Sequence, residues 1–225
     1  MKILAIDTST NYFCLGIYDG SRSYAHIIKS GILLSKLITV VIKRVTDALC
    51  MTIRDFDYFA CGIGPGSFTG LRVGVSTIKG LSWAVNKPVI GIPTLDILAL
   101  NFDKDEGLIV PAVDAKRGLV YCCIYEKKNN KIKKLSPYML ITPSDLCAKV
   151  KPGSYMLGDA LDLYREEFSA KIKMVKLLDK DYWYPKPQKL LELAGEMAKG
   201  RKGITDALNV KPLYLYPKDC QIRKK

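Results

Sequence analysis

Residues 62–74 read GIGPGSFTGLRVG, a glycine-rich stretch that raises the question of a phosphate-binding loop. The dinucleotide fingerprint Gly-x-Gly-x-x-Gly does not fit, because Ser67 or Thr69 stands where the last glycine is required. The Walker pattern does not fit either, because a lysine follows neither Gly70 nor Gly74. The stretch still joins a strand pattern to a helix pattern, so an anion site at the helix start remains as the lesser alternative.

The spacing of the later glycines has another explanation. Gly66, Gly70 and Gly74 are four residues apart, which places them on one stripe of a helix. Each glycine inside a helix costs about 1 kcal/mol relative to alanine, so close approach of another backbone should offset that cost. Two explanations stay open: packing against the protein's own first helix or sheet, or an interface with a helix of another chain. Arg72 and Lys79 fall on a different face and are expected to be solvated.

A second candidate site lies near the N-terminus. The pattern predicts a strand that ends in Asp7 and is followed by the hydroxyl-rich turn Thr8, Ser9 and Thr10. Sugar kinases, actin and Hsp70-type ATPases present phosphate contacts in this way. Such turns usually contain a glycine that lets the backbone approach the phosphates, and none lies between Asp7 and Tyr12. A polar hairpin is therefore favoured, with a degenerate phosphate loop as the alternative.

Composition narrows the possible chemistry. The chain has 225 residues, of which 48% are hydrophobic, enough for one large domain or two small lobes. His26 is the single histidine, so a histidine-based metal site or a Ser/His/Asp triad would have to depend on this one residue. The seven cysteines are scattered without a CxxC pair and are expected to be reduced thiols. We expect no metal site and no cofactor.

The charge of the chain is strongly positive, at +13. A solvated, lysine-rich surface is favoured over a nucleic-acid surface, because the basic runs at 126–134 and 221–225 are not interleaved with aromatic residues. No run of 18 or more apolar residues and no signal peptide are apparent. We therefore expect a cytoplasmic protein without a membrane span.

The hydrophobic pattern predicts two lobes, residues 1–100 and 101–225, with the polar stretch NFDKDEG at 101–107 between them. The first lobe is predicted to begin with an antiparallel meander and an amphipathic helix over 32–51, followed by a further strand and a helix over about 67–85. The predicted elements of the first lobe are strands at 2–7, 12–18, 22–29, 57–62 and 88–92 and helices at 32–51, 67–85 and 94–100. The predicted elements of the second lobe are strands within 108–115, 118–126, 131–141, 154–157 and 172–177 and helices at 142–150, after Gly158 and at 186–200.

Four segments together resemble the bacterial TsaB family, also called YeaZ. They are ILAIDTST (3–10), GIGPGSFTGLRVGVSTIKGLSWA (62–84), GIPTLDILA (91–99) and VDAKRGLVYCCIY (113–125). The second of these is the specific one, and the resemblance is strong over about residues 1–126. It implies an α/β, two-lobed ASKHA fold (actin, sugar kinase and Hsp70; ribonuclease H-like) with mixed sheets flanked by helices.

The resemblance also implies a function. TsaB proteins are non-catalytic paralogues of TsaD, with which they form a heterodimer. Together with the ATPase TsaE, this heterodimer transfers threonylcarbamoyl from TsaC-made adenylate to N6 of adenosine 37 in ANN-decoding tRNAs. The chain is therefore expected to be a scaffold without activity of its own, to meet tRNA through the complex, and to form a homodimer when alone. A stand-alone ASKHA-type ATPase or kinase is the alternative; a glycoprotease and a direct tRNA-binding module are weaker ones.

The resemblance implies a partner surface on the first two helices of the N-terminal lobe. The interface residues predicted there are Leu34, Leu37, Ile38, Val41, Val45, Gly66, Gly70, Gly74 and Thr77. The sequence departs from the family at three places. It lacks the histidine-serine pair with which the first helix commonly begins, and it has Ala160 where a second glycine often follows Gly158. Near the C-terminus it reads PLYLY at 212–216, without the arginine usual in the family. The segment Asp114 to Arg117 is expected to be a structural turn, with a tRNA or partner contact as the alternative.

Overall fold

A computed structural model describes residues 1–29 and 33–216 of the chain. Within them it has two mixed sheets with helices on their faces, as the predicted α/β, two-lobed ASKHA class requires. The predicted helix start at residue 32 and the basic tail at 221–225 lie outside the described residues.

The first sheet has six strands in the order β13-β5-β4-β1-β2-β3. The predicted antiparallel meander is confirmed, because β1 pairs with β2 and β2 with β3 in antiparallel register, while β4 runs parallel to both β1 and β5. The strands are β1 (Ile3–Asp7), β2 (Tyr12–Tyr18), β3 (Ser23–Lys29), β4 (Tyr58–Gly64), β5 (Val89–Pro93) and β13 (Ile204–Thr205).

Both faces of this sheet are covered, and the alternation along β1 shows how. Leu4 and Ile6 point into a core shared with helices α1 (Leu34–Ala48) and α2 (Phe68–Val85). Ile3 and Ala5 point to the opposite face, which a later helix covers. Helix α1 ends three residues before the predicted position. Ser67 caps the start of α2, and its last residue is followed by Asn86, whose φ of 51° is a left-handed conformation common at helix C-termini.

The second sheet has the strand order β10-β7-β6-β11-β12, and β8 pairs with β6 and β9 off this path. Two predicted strands, 118–126 and 131–141, are each broken in two. At the breaks the Ser136 hydroxyl accepts a hydrogen bond from the Ile124 backbone N–H at 2.9 Å, in place of a ladder partner. The strands are β6 (Gly107–Lys116), β7 (Leu119–Cys122), β8 (Tyr125–Lys128), β9 (Lys131–Lys134), β10 (Met139–Ile141), β11 (Tyr155–Leu157) and β12 (Lys176–Leu177).

The remaining helices flank the two sheets. Helices α4 and α5 close the core of the second sheet around Leu146 and Phe168, and α3 packs Leu95 and Leu98 on its other face. Their bounds are α3 (Thr94–Ala99), α4 (Pro143–Lys149), α5 (Leu161–Lys171) and α6 (Pro187–Lys199), with 3₁₀ turns at Ile53–Asp55 and Lys180–Tyr182.

The structure differs from the predicted two-lobe division at its C-terminal end. Helix α6 buries Leu190 and Ala194 against the first sheet, and β13 pairs with β5 of that sheet. Helix α6 and strand β13, which fall in the segment predicted as the second lobe (101–225), therefore pack with the first sheet, whereas Leu215 and Tyr216 pack against the core of the second. The physical reason is that the face of β1 carrying Ile3 and Ala5 is apolar and needs a cover.

Candidate functional site

The turn after β1 is built around a buried carboxylate. Asp7 is fully buried, and its Oδ1 accepts hydrogen bonds from the Ser9 backbone N–H at 2.8 Å and the Ser9 hydroxyl at 2.6 Å. Its Oδ2 accepts a hydrogen bond from the Thr94 hydroxyl at 3.1 Å. Burial raises the pKa of Asp7, and the hydrogen bonds from Ser9 and Thr94 oppose that rise. Both carboxylate oxygens thus have donors from the chain itself.

The next two residues of the turn are held beneath helix α2. Thr8 and Ser9 are buried, the Thr8 hydroxyl donates to the Gly70 carbonyl at 2.8 Å, and the Ser67 N–H donates to the Ser9 carbonyl at 2.7 Å. Thr10 is half-buried, and its hydroxyl accepts a hydrogen bond from the backbone N–H two residues later at 3.2 Å. The four residues predicted as a degenerate phosphate loop do lie together, and most of their polar groups are used inside the chain.

The glycine stripe of α2 faces this turn. A Cβ atom added at Gly70 would collide with the Thr8 carbonyl oxygen, one at Gly74 with the Thr8 side chain, and one at Gly66 with Ser9. Of the two explanations for the stripe, contact within the chain is the one that the structure shows, and of the two internal candidates, the first helix or the sheet, it is the sheet that the stripe meets, through its β1–β2 turn. Gly70 and Gly74 are buried there, so the prediction that they touch another helix needs correction.

A related arrangement occurs in the second sheet. Asp159 accepts a hydrogen bond from the Asp114 backbone N–H at 2.9 Å, and burial raises the pKa of Asp159. Gly158 has φ of +110°, and a Cβ atom there would collide with the carbonyl oxygen of Ala112. This glycine therefore brings two backbones close together at the carboxyl end of β11.

The segment Asp114 to Arg117 comprises the end of β6 and the first residue of the β6–β7 hairpin turn, in agreement with the structural role expected for it. Lys116 pairs with Leu119 across a two-residue loop, Arg117 and Gly118, whose φ values are 55° and 73°. Lys116 itself has φ of 64°, at a shift in register, and its ammonium pairs with the Asp114 carboxylate.

The structure distributes the predicted interface residues between the core and the surface. Gly70 and Gly74 on α2 are buried, and Thr77 on the same helix is partly buried; Gly66, predicted to share their helical stripe, lies before the capping Ser67 and is partly buried. On α1 the buried residues are Leu34, Ile38 and Val41, and the partly buried ones are Leu37 and Val45, all five packed into the core of the first sheet. Most of the predicted contact set is therefore needed by the chain's own core.

Other apolar side chains on the same two helices are exposed, and sequence reasoning missed them. Trp83 on the outer face of α2 is 74% exposed and Val40 on α1 is 44% exposed. Leu33, at the start of α1, and Phe68, at the start of α2, are also exposed. The signal in the sequence that points to this surface is a tryptophan on the side of α2 away from Gly70 and Gly74. We call Leu33, Val40, Phe68 and Trp83 the outer apolar set.

Phe68 belongs to a small exposed aromatic cluster at the start of α2. The Arg72 guanidinium lies 3.8 Å from the centre of the Phe68 ring, and the Tyr214 ring lies 5.3 Å from that of Phe68. Arg72, predicted to be simply solvated, thus packs on an aromatic face. The segment that carries Tyr214 is also tied to β4, because the Leu213 N–H donates to the Ile63 carbonyl at 2.7 Å.

The described part of the chain contains neither a metal-binding cluster nor a membrane-spanning helix. Across residues 1–29 and 33–216, no group of three or more His, Cys, Asp or Glu side chains is placed to hold a metal ion. Within the same two ranges, every helix is too short or too polar to cross a membrane.

The fold and the turn beneath α2 define a two-lobed α/β protein of the ASKHA class. A family model described as "TsaD: tRNA N6-adenosine threonylcarbamoyltransferase" matches residues 33–213, most of the chain. Within this group the chain belongs to the TsaB family, also called YeaZ, because TsaB proteins are 31–32% identical to it over 67–78% of its length.

Individual relatives agree with this assignment. The tRNA threonylcarbamoyladenosine biosynthesis protein TsaB of Bacillus subtilis is 32% identical over 162 residues, which cover 67% of this chain and 66% of that protein. The protein of the same name from Buchnera aphidicola subsp. Schizaphis graminum is 31% identical over 192 residues, or 78% of this chain and 87% of the relative. The solved structure of YeaZ from Pseudomonas aeruginosa superposes with a TM-score of 0.82 at 24% identity, covering 95% of this chain and 99% of that one. At this level of identity, the similarity to the Pseudomonas aeruginosa structure shows the fold alone.

Proposed function

We propose that this protein is a scaffold subunit in the threonylcarbamoylation of N6 of adenosine 37 in ANN-decoding tRNAs. It binds and activates a TsaD-type transferase, works with TsaE in the ternary complex, and has no catalytic activity of its own. The relatives named for threonylcarbamoyladenosine biosynthesis support the role in this modification. The match to the transferase family supports the idea of a paralogue of that enzyme.

The non-catalytic part of the proposal is supported by the turn after β1. A kinase or ATPase of this class needs that turn to offer its hydroxyls and backbone to phosphate. Here the Asp7 oxygens accept hydrogen bonds from Ser9 and Thr94, and Thr8 and Ser9 are bonded to α2. The alternative, a stand-alone ATPase or kinase, would require this turn to detach from the glycine stripe.

The scaffold part of the proposal is carried by one observation, the outer apolar set on two adjacent helices. Helices α1 and α2 pack side by side, and each presents exposed apolar side chains away from the core. Trp83 is the most exposed of these, and a large aromatic residue of this kind is typical of binding hot spots. The same surface is available to a second copy of the chain, so we propose a homodimer when the transferase is absent.

The proposal is tested by co-purification of the chain with the TsaD-type transferase of its own organism. Trp83→Ala and Val40→Glu should each weaken association by about 2 kcal/mol or more, roughly 30-fold, as expected for hot-spot positions. The matched control is Leu163→Glu, which adds the same charge at an apolar residue that is 62% exposed on α5, and which should leave association unchanged. If the two helix variants bind like the wild type, or if the control is equally weakened, the proposed surface is wrong.

A second measurement addresses the function itself. Depletion of the protein in cells should lower the threonylcarbamoyladenosine content of tRNA, measured by mass spectrometry of nucleosides. The purified chain should not hydrolyse ATP or GTP. Hydrolysis that is lost in an Asp7→Asn variant would support the alternative of a stand-alone enzyme.

A further inference from the structure

The hairpin formed by β8 and β9 has a well-defined geometry. Lys128 pairs directly with Lys131 across the turn, and Glu126 pairs with Lys133. The two turn residues, Asn129 and Asn130, have φ of 50° and 58°. Two positive φ values at asparagines are typical of a two-residue turn that matches the twist of a hairpin. The register is therefore fixed locally.

One face of this hairpin is fastened to the domain. Residues directly opposite each other lie on the same face of the ribbon, and so do residues two apart along one strand. Lys127, which pairs with Ile132, is therefore on the same face as Ile132 and Lys134. The Lys127 ammonium donates to the Phe102 carbonyl at 3.3 Å, and the Lys134 ammonium lies 4.1 Å from the centre of the Tyr138 ring. These contacts use the lysines of the inner face within the molecule.

The other face carries Glu126, Lys128, Lys131 and Lys133, and the three lysines are exposed. We call these three lysines the lysine face. Two of them, Lys128 and Lys131, stand directly opposite each other, an arrangement in which like charges destabilise a sheet. Among the ion pairs of the described residues, none includes a member of the lysine face. The outward face of the hairpin thus holds three cations and one carboxylate, Glu126, which forms no ion pair with any of the three.

We propose that the lysine face of β8–β9 binds the phosphate backbone of the RNA on which the complex acts. This inference rests on the proposed function, which makes a tRNA the substrate. Lysine ammonium groups bind phosphate as point charges and do not read bases, so the contact would hold the RNA without selecting its sequence. Two residues along a strand span about 6.6 Å, so Lys131 and Lys133 are spaced to meet neighbouring phosphates of one strand.

The composition of the lysine face favours RNA over an acidic protein. Lysine is depleted in protein–protein interfaces, and their energetic centres are usually aromatic residues or arginine. The outward face has no apolar or aromatic side chain, because Tyr125 and Ile132 belong to the inner one. The sequence favours a solvated surface at 126–134 for this reason, but the lack of aromatic residues argues against base stacking and not against contact with a phosphate backbone. A polyanion that needs only an array of cations is therefore the better match.

The test measures the affinity of an unmodified ANN-decoding tRNA transcript for the full chain, both alone and bound to the transferase, as a function of salt. Replacing the lysine face as Lys128→Gln/Lys131→Gln/Lys133→Gln should lower the affinity roughly 100-fold at 0.1 M salt and reduce the salt slope by about 2 to 3. A charge-preserving variant, Lys128→Arg/Lys131→Arg/Lys133→Arg, should bind like the wild type. Melting temperatures of both variants separate loss of the RNA contact from loss of the fold.

The matched control removes the same charge elsewhere, at three exposed residues that follow one another closely at the end of α6: Lys199→Gln/Arg201→Gln/Lys202→Gln. Equal losses in this control would mean general attraction and would overturn the proposal, as would unchanged RNA affinity in the glutamine variant of the lysine face. If that variant kept RNA and lost the transferase, the lysine face would belong to a protein interface instead. A wild-type chain that fails to bind the transferase counts against the proposed function, while RNA binding by the chain alone still tests the lysine face.

Discussion

The close contact between α2 and the β1–β2 turn is best tested with Gly70→Ala. The added Cβ would meet the carbonyl oxygen of Thr8, which is a backbone atom and has no rotamer by which to move away. Two hydrogen bonds hold the same contact, one from the Thr8 hydroxyl to the Gly70 carbonyl and one from the Ser67 N–H to the Ser9 carbonyl. To admit the methyl group, α2 has to separate from the turn and weaken both bonds.

The magnitude follows from three contributions. Alanine in place of glycine stabilises a helix by about 1 kcal/mol. Overpacking of a closed site costs about 1–3 kcal/mol. Loss of the two buried hydrogen bonds costs about 1 kcal/mol each. The free energy of unfolding should therefore fall by about 2–4 kcal/mol, the sum of these three changes.

Gly80→Ala, in the same helix, is the control. Gly80 is exposed, and an added Cβ there has no neighbouring heavy atom within 4 Å, so only the helix preference acts and stability should rise by about 1 kcal/mol. Urea unfolding of the two variants and the wild type gives both values, provided that the m-values agree. The reasoning fails if Gly70→Ala is as stable as the wild type, or if both alanine variants change stability in the same direction.

Three further predictions concern single groups. Because burial raises the folded-state pKa of Asp7 above its ordinary 3.8, folding favours the protonated form, and this stabilisation is present below pH 3.8 and lost as the pH rises through the folded pKa. The free energy of unfolding of Asp7→Asn minus that of the wild type should therefore increase as the pH rises from 3.8 through the folded-state pKa of Asp7. A difference that stays constant with pH would contradict the raised pKa. The Cys61 thiol, whose pKa burial and the charge of Asp7 raise to about 12, should resist alkylation at about pH 8 in the folded protein, while exposed Cys50 reacts; peptide mass spectrometry distinguishes them. Acrylamide should quench the fluorescence of exposed Trp83 and leave the fluorescence of buried Trp183 unquenched. Binding of the transferase should protect Trp83 from the quencher, and unchanged quenching in the complex would argue against contact at α2.

Much of the first lobe is predictable because its signals are local. The meander of β1–β3 follows from short apolar runs separated by polar turns, and α2 follows from its capping serine and helical pattern. The glycine spacing predicts a close backbone approach but leaves open the first helix, the sheet or another chain, and the structure shows the turn of the sheet. The spacing of glycines shows that something comes near one face of a helix, and it carries no information about what comes near.

The return of α6 and β13 to the first sheet is not predictable in the same way. The pattern of α6 indicates a helix with one apolar face, and either sheet could have covered that face. What decides between them is the opposite face of β1, where Ile3 and Ala5 require a cover more than 180 residues away in sequence. No local pattern records a pairing of that kind.

The interface residues show a related limit, and it bears on the function. In a segment as apolar as 32–51, periodicity separates the core side of a helix from its outer side poorly. The pattern therefore assigns to the interface residues that the core needs, such as Ile38 and Val41. Once the sheet is in place, the core residues are accounted for, and Val40 and Trp83 remain without an internal role. The glycine stripe holds α2 against the turn of Asp7, and this contact fixes the side of α2 that carries Trp83. The same packing that covers the β1–β2 turn therefore orients the surface proposed to bind the transferase, so a variant that loosens the turn should also weaken that association.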